Sequence, residues 1–347
     1  MDPLSRAFQL ASDKRTHPNP RVGAVLLKAG HVVGEGWHEG PGTREAAVLE
    51  LERDGDAAGG ATLFVTLEPC AHTGRTPPCS EAIVAAAVGK VVVGATDPDD
   101  RVSGKGIGAL EGAGIDVQVS ERPEDYEALD PGYFHHRRTG LPRAIAKWAM
   151  TLDGSVAAAD HTSQWITSEE ARVDAHRLRA SVDAVVVGAG TLRSDDPRLD
   201  VRLDGFSGPQ PRPVIVAGSK PLPDQSRIWE RDPLVLSSRS LSTPSGENVV
   251  VPVSDVSGSD VPDPQACAES IAEQGLLDLL LEGGPTLLSA WWRAGLITEG
   301  YAYVGSKVGA GAGIQPIGGL FGTLGDAHSV EILDVQTIGP DVRIHFS

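Results

Sequence analysis

Along the chain the spacing of apolar residues alternates between the 3.6-residue repeat of helices and the two-residue repeat of strands. Leu4, Ala7, Phe8 and Ala11 stand at helical spacing and predict a short amphipathic opening helix. Thr16-His-Pro-Asn-Pro20 follows, and its two prolines forbid helix and fix an extended loop. Residues 22–27 and 31–34 read as two strands of a hairpin joined by Lys28, Ala29 and Gly30. A helix is predicted over 44–53, with Ala46, Ala47 and Leu49 on one side and charges on the other. An apolar strand at 61–67, a helix at 81–87, a strand at 90–94, a helix at 106–112 and a strand at 115–119 complete the first half. This alternation predicts a three-layer α/β unit.

Residues 121–136 are polar and compatible with helix, and Gly140 and Pro142 then interrupt the chain. We expect a domain boundary there, dividing residues 1–141 from 142–347. The second half restarts with a strand at 143–149 and a helix at 169–180, where Ser/Thr capping and acids fill the first turn. A buried strand at 183–188 and short strands at 213–216 and 233–236 follow. Residues 276–281 form an apolar strand that runs into Glu282-Gly-Gly-Pro-Thr286 and a helix at 287–294. Pro/Ser-rich stretches at 207–213 and 237–245 read as surface loops.

The 347 residues exceed the usual size of one core, in keeping with two domains. A net charge of −17 leaves no basic footprint for a nucleic-acid surface. No run of 18 apolar residues offers a membrane span, and the first residues lack the apolar core of a signal peptide. Three cysteines do not make a disulfide framework. A cytoplasmic protein is expected.

Two of those cysteines carry candidate chemistry. Cys70 and Cys79, nine positions apart after the 61–67 strand, suit a tetrahedral Zn²⁺ with one position open to water. Pro69-Cys70 and Cys79 match one half of the zinc nucleobase-deaminase signature, whose other half is His-x-Glu. Buried thiols without a metal are the alternative reading. His17 and His38 read as structural or solvent-facing, and Asn19 as a turn cap.

Several motifs now line up in order. Asn19-Pro-Arg-Val-Gly23, Gly34-x-Gly-x-His38, Thr66-Leu-Glu-Pro-Cys70 and Gly74-Arg-Thr-Pro-Pro-Cys79 occupy the first half. Lys147-x-Ala149, Leu152-Asp-Gly154, Gln164-Trp165, Gly188-x-x-Thr191 and Asp195-Asp-Pro197 occupy the second. Over nearly its whole length the chain thus resembles the RibD family of bacterial riboflavin-biosynthesis proteins, which fuses a pyrimidine deaminase to a reductase. The resemblance implies a cytidine-deaminase-like domain over 1–141 and a dihydrofolate-reductase-like domain over 142–347.

One departure sits at the chemistry. Aligned on Gly36, His38 and Gly42, the family's zinc-binding His falls on Glu45, and its general acid/base Glu falls on Ala47. A carboxylate at Glu45 can bind zinc at about imidazole distance. Alanine carries no proton, and Glu50 is rooted about one turn too far to replace it. His72 stands as a substrate contact, with a substitute third ligand as its alternative.

For the second half the resemblance implies NADPH as hydride donor to the ribose C1′ of 5-amino-6-(5-phosphoribosylamino)uracil. Carried over by position, Ala149, Trp165, Thr191 and Asp195 contact NADPH, while Gly283, Gly284, Pro285 and Thr286 hold its phosphates. Ser163, Arg179, Leu199, Arg202 and Glu282 line the substrate site. Physical reasons stand beside the resemblance. Glycines between a strand and a helix let backbone N–H groups approach a phosphate. Arg179 and Arg202 suit a bidentate clamp on the ribose phosphate, with surface salt bridges as the bland alternative. Lys147, mid-strand among apolar residues, is costly in a core and is the candidate catalytic residue. Trp165 reads as a cleft wall rather than core. Ala217-Gly218 stands where the family has Asp-Ser, and Gly305-Ser-Lys307 where it has Pro-Lys.

The expected function is an NADPH-dependent reductase of riboflavin biosynthesis with an impaired deaminase half and doubtful zinc. A fully bifunctional enzyme with Glu45 as zinc ligand is the alternative, and a non-catalytic binding protein is the reading from another class. The expected partner is a small phosphoribosyl-pyrimidine, with no nucleic acid or membrane, in a homo-oligomer.

Overall fold

Asp2 starts the first helix, α1 (Pro3–Ala11): its carboxylate accepts the Ser5 N–H at 3.0 Å, and Pro3 occupies a first-turn position where no donor is lost. The computed structural model describes every residue except 1, 13, 41–57, 72–77, 100, 121–122, 255–259, 310–312, 319–322, 324 and 326. It divides into two units, Met1–Gly140 and Leu141–Ser347.

In the first unit, β1 (Gly23–Lys28) pairs antiparallel with β2 (His31–Trp37) and with β3 (Thr62–Leu67). Parallel strands β4 (Lys90–Ala95) and β5 (Asp116–Val119) extend the sheet in the order β2-β1-β3-β4-β5. Gly23 is required by a close approach, since a Cβ there would lie 2.0 Å from the Ala7 carbonyl oxygen of α1. Helices α2 (Cys79–Ala85) and α3 (Lys105–Gly112) follow β3 and β4. The polar stretch read as one helix-compatible segment forms two, α4 (Pro123–Leu129) and α5 (Pro131–Thr139), because Pro131 has no N–H to continue the first. The helix expected over 44–53 lies outside the described residues.

The second unit is built on a nine-stranded sheet in the order β10-β9-β8-β7-β11-β6-β12-β14-β13. Its strands are β6 (Arg143–Thr151), β7 (Ala184–Gly188), β8 (Arg212–Ala217), β9 (Leu234–Ser237), β10 (Glu247–Val250), β11 (Asp278–Leu281), β12 (Ile297–Gly305), β13 (Ile332–Ile338) and β14 (Asp341–Phe346). Pairing is parallel from β10 through β12 and antiparallel for the last two. Helices α6 (Glu169–Ser181), α7 (Ala189–Asp195), α8 (Pro264–Glu273) and α9 (Pro285–Arg293) accompany it. β10, α7, α8, β12, β13 and β14 go beyond the elements expected from periodicity. β12 hides from a pattern search because Thr298, Glu299 and Tyr301 interrupt its apolar positions.

β11 is buried along its whole length, which explains its unbroken apolar run. Leu279 and Leu281 enter one core cluster, while Leu280 enters the cluster on the other face. The strand begins at Asp278, two residues later than expected, because the Asp183 carboxylate takes the N–H groups of Leu277 and Asp278 at 2.8 and 2.9 Å. Removing the Leu280 side chain leaves a cavity between layers that cannot relax freely. Leu280→Ala should therefore lower stability by about 2–5 kcal/mol, read as a drop in the urea midpoint. Val335→Thr, on an exposed position of edge strand β13, should stay within about 0.5 kcal/mol of the parent.

Candidate functional site

Strands β6, β7 and β11 run parallel, so their carboxyl ends point the same way, the end at which open α/β sheets bind ligands. A cleft of about 720 Å³ lies there, within the range of small-molecule sites. β6 brings Lys147, Trp148 and Ala149 to its wall. The end of β7 and α7 bring Gly188, Thr191 and Asp195. The turn after β11 brings Glu282, Gly283, Gly284, Pro285 and Thr286, and Ser163 joins from the segment before α6. Seven of the eight expected cofactor positions thus share one cleft. Trp165, the eighth, borders an adjoining smaller cleft of about 240 Å³ with Ser163 and Lys307. Its ring is 59% exposed with the Arg172 guanidinium 4.5 Å from the ring centre, so it is a wall and not core.

Glu282 is the electrostatic centre. Arg179 grips it with two bonds, Nε to Oε1 at 2.5 Å and Nη2 to Oε2 at 3.0 Å. The Lys147 ammonium lies 3.5 Å from Oε2 and 5.7 Å from the centre of the Tyr303 ring. Burial alone pushes this carboxyl up, but the charges of Arg179 and Lys147 outweigh it and hold the group at about 2. Tyr303 is itself fixed: its hydroxyl donates to Asp174 at 2.8 Å, and Arg343 donates to the same oxygen at 2.9 Å.

The expected phosphate clamp is arranged differently from a pair of free arginines. Arg179 and Arg202 meet at Asp200, the first donating to its carbonyl at 3.0 Å and the second to its carboxylate. Neither residue lines the cleft, and neither does Leu199, which is buried at a φ of 54°. His176, one turn before Arg179 on α6, accepts the Arg202 N–H on Nδ1 at 3.2 Å. Burial, with the Arg179 and Arg202 charges, pushes its imidazole down to about 4. Sequence reasoning missed His176, Asp200, Trp148 and Tyr303. Only the i, i+3 spacing of His176 and Arg179 offered a signal.

The cleft fits a phosphate-bearing cofactor. α9 begins at Gly284 with no side-chain cap, leaving its N-terminus to meet an anion. Gly283 is required because a Cβ would press within 2.4 Å of Leu287. The Trp148 indole N–H is buried without a hydrogen-bond partner among the described residues, at the wall of this cleft. At the departure from the family pattern, Gly218 borders the cleft, and a Cβ there would lie 2.9 Å from an Asp260 carboxylate oxygen.

In the first unit Cys70, Cys79, Glu68 and Asp97 border a pocket of about 20 Å³, room for one water-sized species. The Cys79 N–H donates to the Cys70 sulfur at 3.3 Å, which places that sulfur at the start of α2. Glu68 is fully employed: its carboxylate accepts the N–H groups of Gly104, Gly106 and Ile107 at 3.0, 2.9 and 3.2 Å, capping α3. Burial pushes the Asp97 carboxyl up to about 6, against the Tyr133 hydroxyl that donates to it at 3.1 Å. Among the described residues no third histidine, aspartate or glutamate joins the two cysteines closely enough to share an ion. Glu45, Ala47, Glu50 and His72 lie outside the described residues. The thiols therefore fit half of a zinc donor set. His17 and His38 are structural, the first buried 2.7 Å from Asp130 and the second buried 3.1 Å from the Asn19 amide.

Known proteins agree with this geometry. A family model described as the RibD C-terminal domain matches residues 142–344, and one for the cytidine and deoxycytidylate deaminase zinc-binding region matches residues 2–95. Riboflavin biosynthesis protein RibD of Escherichia coli is 36% identical over 367 aligned positions, covering 99% of this chain and 97% of that protein. Its counterpart in Mycobacterium tuberculosis is 37% identical, covering 95% and 91%. The structure of Acinetobacter baumannii RibD superposes with a TM-score of 0.87 at 33% identity, covering 99% of this chain and 97% of that one. A diaminohydroxyphosphoribosylaminopyrimidine deaminase/5-amino-6-(5-phosphoribosylamino)uracil reductase from Thermotoga maritima gives 0.86 at 28% identity with the same coverage. No helix among the described residues is long and apolar enough to cross a membrane. The chain belongs to the RibD family of riboflavin biosynthesis, with a deaminase-type unit followed by a reductase-type unit.

Proposed function

We propose that this protein reduces 5-amino-6-(5-phosphoribosylamino)uracil with NADPH and that its deaminase-type unit is impaired. The observation that carries the reading is the contrast between the halves. The cleft at the ends of β6, β7 and β11 assembles the cofactor positions around an ionised Glu282, whereas the proton-carrying position of the deaminase motif is Ala47.

NADPH, when bound, supplies the hydride. Ala149, Thr191 and Asp195 line its binding cleft, with the 283–286 turn and the α9 N-terminus on its phosphates and Trp165 at the edge. This chain's residues then have three tasks. Ser163 and the arginines orient the phosphosugar, Arg179 and Arg202 through their charge, while the buried Leu199 shapes the turn that carries Arg202. Glu282 holds Lys147 and Arg179 in place. Lys147 gives a proton to the ribose ring oxygen as the C1′–O4′ bond breaks and C1′ accepts hydride, so that hydride plus proton account for the opened ribityl chain. Lys147, Arg179 and Arg202 set three cations against the carboxylates of Glu282 and Asp200. The excess positive charge matches a phosphate ester. A homo-oligomer remains part of this reading, from the resemblance alone.

In the first unit Cys70 and Cys79 would hold zinc, with Glu45 as third ligand, and the metal would supply an activated water. Position 47 carries no carboxylate to shuttle the proton, and Glu68 is committed to the α3 N-terminus.

Mixing the purified protein with NADPH and the aminouracil substrate should oxidise the cofactor, followed at its absorbance; absence of turnover would defeat the proposal. In the same assay Lys147→Met should lower kcat by about 10²–10⁴-fold, and Glu282→Gln should lower kcat/KM by about 10²-fold by leaving two buried cations uncompensated. Ammonia release from the diaminopyrimidine precursor should run about 10²–10⁴-fold below that of a unit with intact His and Glu, and Glu45→His with Ala47→Glu should raise it. pH gives a further check. The His176 imidazole is depressed from 6.5 to about 4, so the unfolded chain binds the extra proton between those values. Its contribution is complete above pH 6.5 and is lost as pH falls toward 4. Melting temperatures should show a shallower fall over that window for His176→Asn than for the parent.

A further inference from the structure

Residues 198–202 belong to no helix or strand, yet their backbone is held almost atom by atom by side chains. The Arg198 carbonyl accepts from Arg231 at 2.9 Å and the Asp200 carbonyl from Arg179 at 3.0 Å. Gln210 makes a two-point clasp on Val201, its Oε1 accepting the N–H at 2.7 Å and its Nε2 donating to the carbonyl at 3.2 Å. The primary amide thus stands in for the peptide group of a neighbouring strand. His176 Nδ1 then takes the Arg202 N–H at 3.2 Å. Inside this cage sits Leu199, buried, with the left-handed φ of 54° that a branched side chain resists. Such a conformation persists only where its surroundings over-determine it, and it is a pointer to function.

The segment's position gives the function. Its two ends of charge, Asp200 and Arg202, join the Arg179–Glu282–Lys147 cluster, and Arg202 itself is paired only through Asp200 among the contacts described, with its side chain 55% exposed. Of the residues in the clasp, Gln210 and His176 carry no net charge at neutral pH and reach only backbone. Through these contacts they fix where Arg202 can stand.

Resting on the reductase reading, we propose that Gln210 and His176 are positioning residues that hold the 198–202 segment against the phosphosugar, setting the substrate's affinity while leaving the dinucleotide untouched. Val201 and Arg202 are the atoms through which they act. The Gln210 side chain is otherwise exposed, so its ordering has no purpose in a core.

Steady-state kinetics with both substrates varied tests this. Gln210→Leu and His176→Ala should each raise KM for the phosphoribosyl substrate about tenfold, the scale of losing one or two hydrogen bonds. kcat at saturation and KM for NADPH should stay within about twofold. His176→Asn, whose amide oxygen replaces Nδ1 as acceptor, should return KM to the parent value, and Gln210→Glu, which keeps the acceptor and loses the donor, should fall between. Calorimetry with ribose 5-phosphate and, separately, with NADPH should show weakened binding of the first alone. An unchanged KM in Gln210→Leu and His176→Ala, or equal losses for both substrates with no rescue by His176→Asn, overturns the proposal. A parent protein that neither oxidises nor binds NADPH overturns the reductase reading instead, and ribose 5-phosphate affinity across the variants still decides the role of the clasp.

Discussion

A carboxylate removed from water at the end of β11 must be matched by charge or it will not remain ionised, and Glu282 is matched twice over. Arg179 comes from α6 and Lys147 from β6, so one anion ties three elements of the second unit together. The pairing also runs the other way: without Glu282, two cations would be buried side by side. Their desolvation is tolerable only because the anion is there, and Arg202 and Asp200 extend the cluster outward. Below it, the Asp174–Tyr303 pair sets a ring beneath Lys147, so the ammonium has one favoured position. The cleft and the charge cluster therefore share Lys147 and Glu282 as common members.

The two units meet different chemical demands. Hydride transfer leaves the difficult step to the cofactor and asks the protein for orientation, which backbone glycines, a helix N-terminus and a fixed charge cluster can provide. Hydrolytic deamination asks a side chain to carry a proton twice, and no arrangement of backbone replaces that. On the proposed reading a change such as Ala47 therefore weighs more on the first unit than Ala217-Gly218 does on the second.

Much of this was legible in the sequence, for a physical reason. Period-2 and period-3.6 patterns mark elements with one buried face, and Gly283-Gly284 after the apolar strand marked a strand-to-helix turn whose position the structure keeps. Lys147 was legible because a lysine inside an apolar strand needs a partner, and it has one in Glu282. The partner of Arg179 was not. A sequence shows two arginines suited to a phosphate, but not that both converge on Asp200, because that depends on the left-handed turn at Leu199 and on side chains 21 to 103 positions away. His176 and Gln210 were equally hidden, since each acts on the backbone of a residue distant in the chain and neither carries a motif. β12 escaped for the opposite reason: its polar residues are satisfied by Arg143, His345 and Asp174, so a buried strand reads as a mixed one.

The half of the deaminase motif that this chain shares with the family is the half with structural work of its own. Glu68 neutralises the N-terminus of α3 with three backbone bonds, and replacing it would expose those donors in a buried place. Cys79 opens α2 and its backbone N–H is taken by the Cys70 sulfur, so that sulfur helps hold the start of the helix whether or not a metal is bound. The segment carrying Glu45 and Ala47 owes its residue types, by the family resemblance, to ligation and proton transfer. Chemistry can thus be lost at those positions while the strand-to-helix turn that carries the cysteines keeps its bonding. A site built from two kinds of residue, some fastened into the fold and some present only for the reaction, fails first at the second kind.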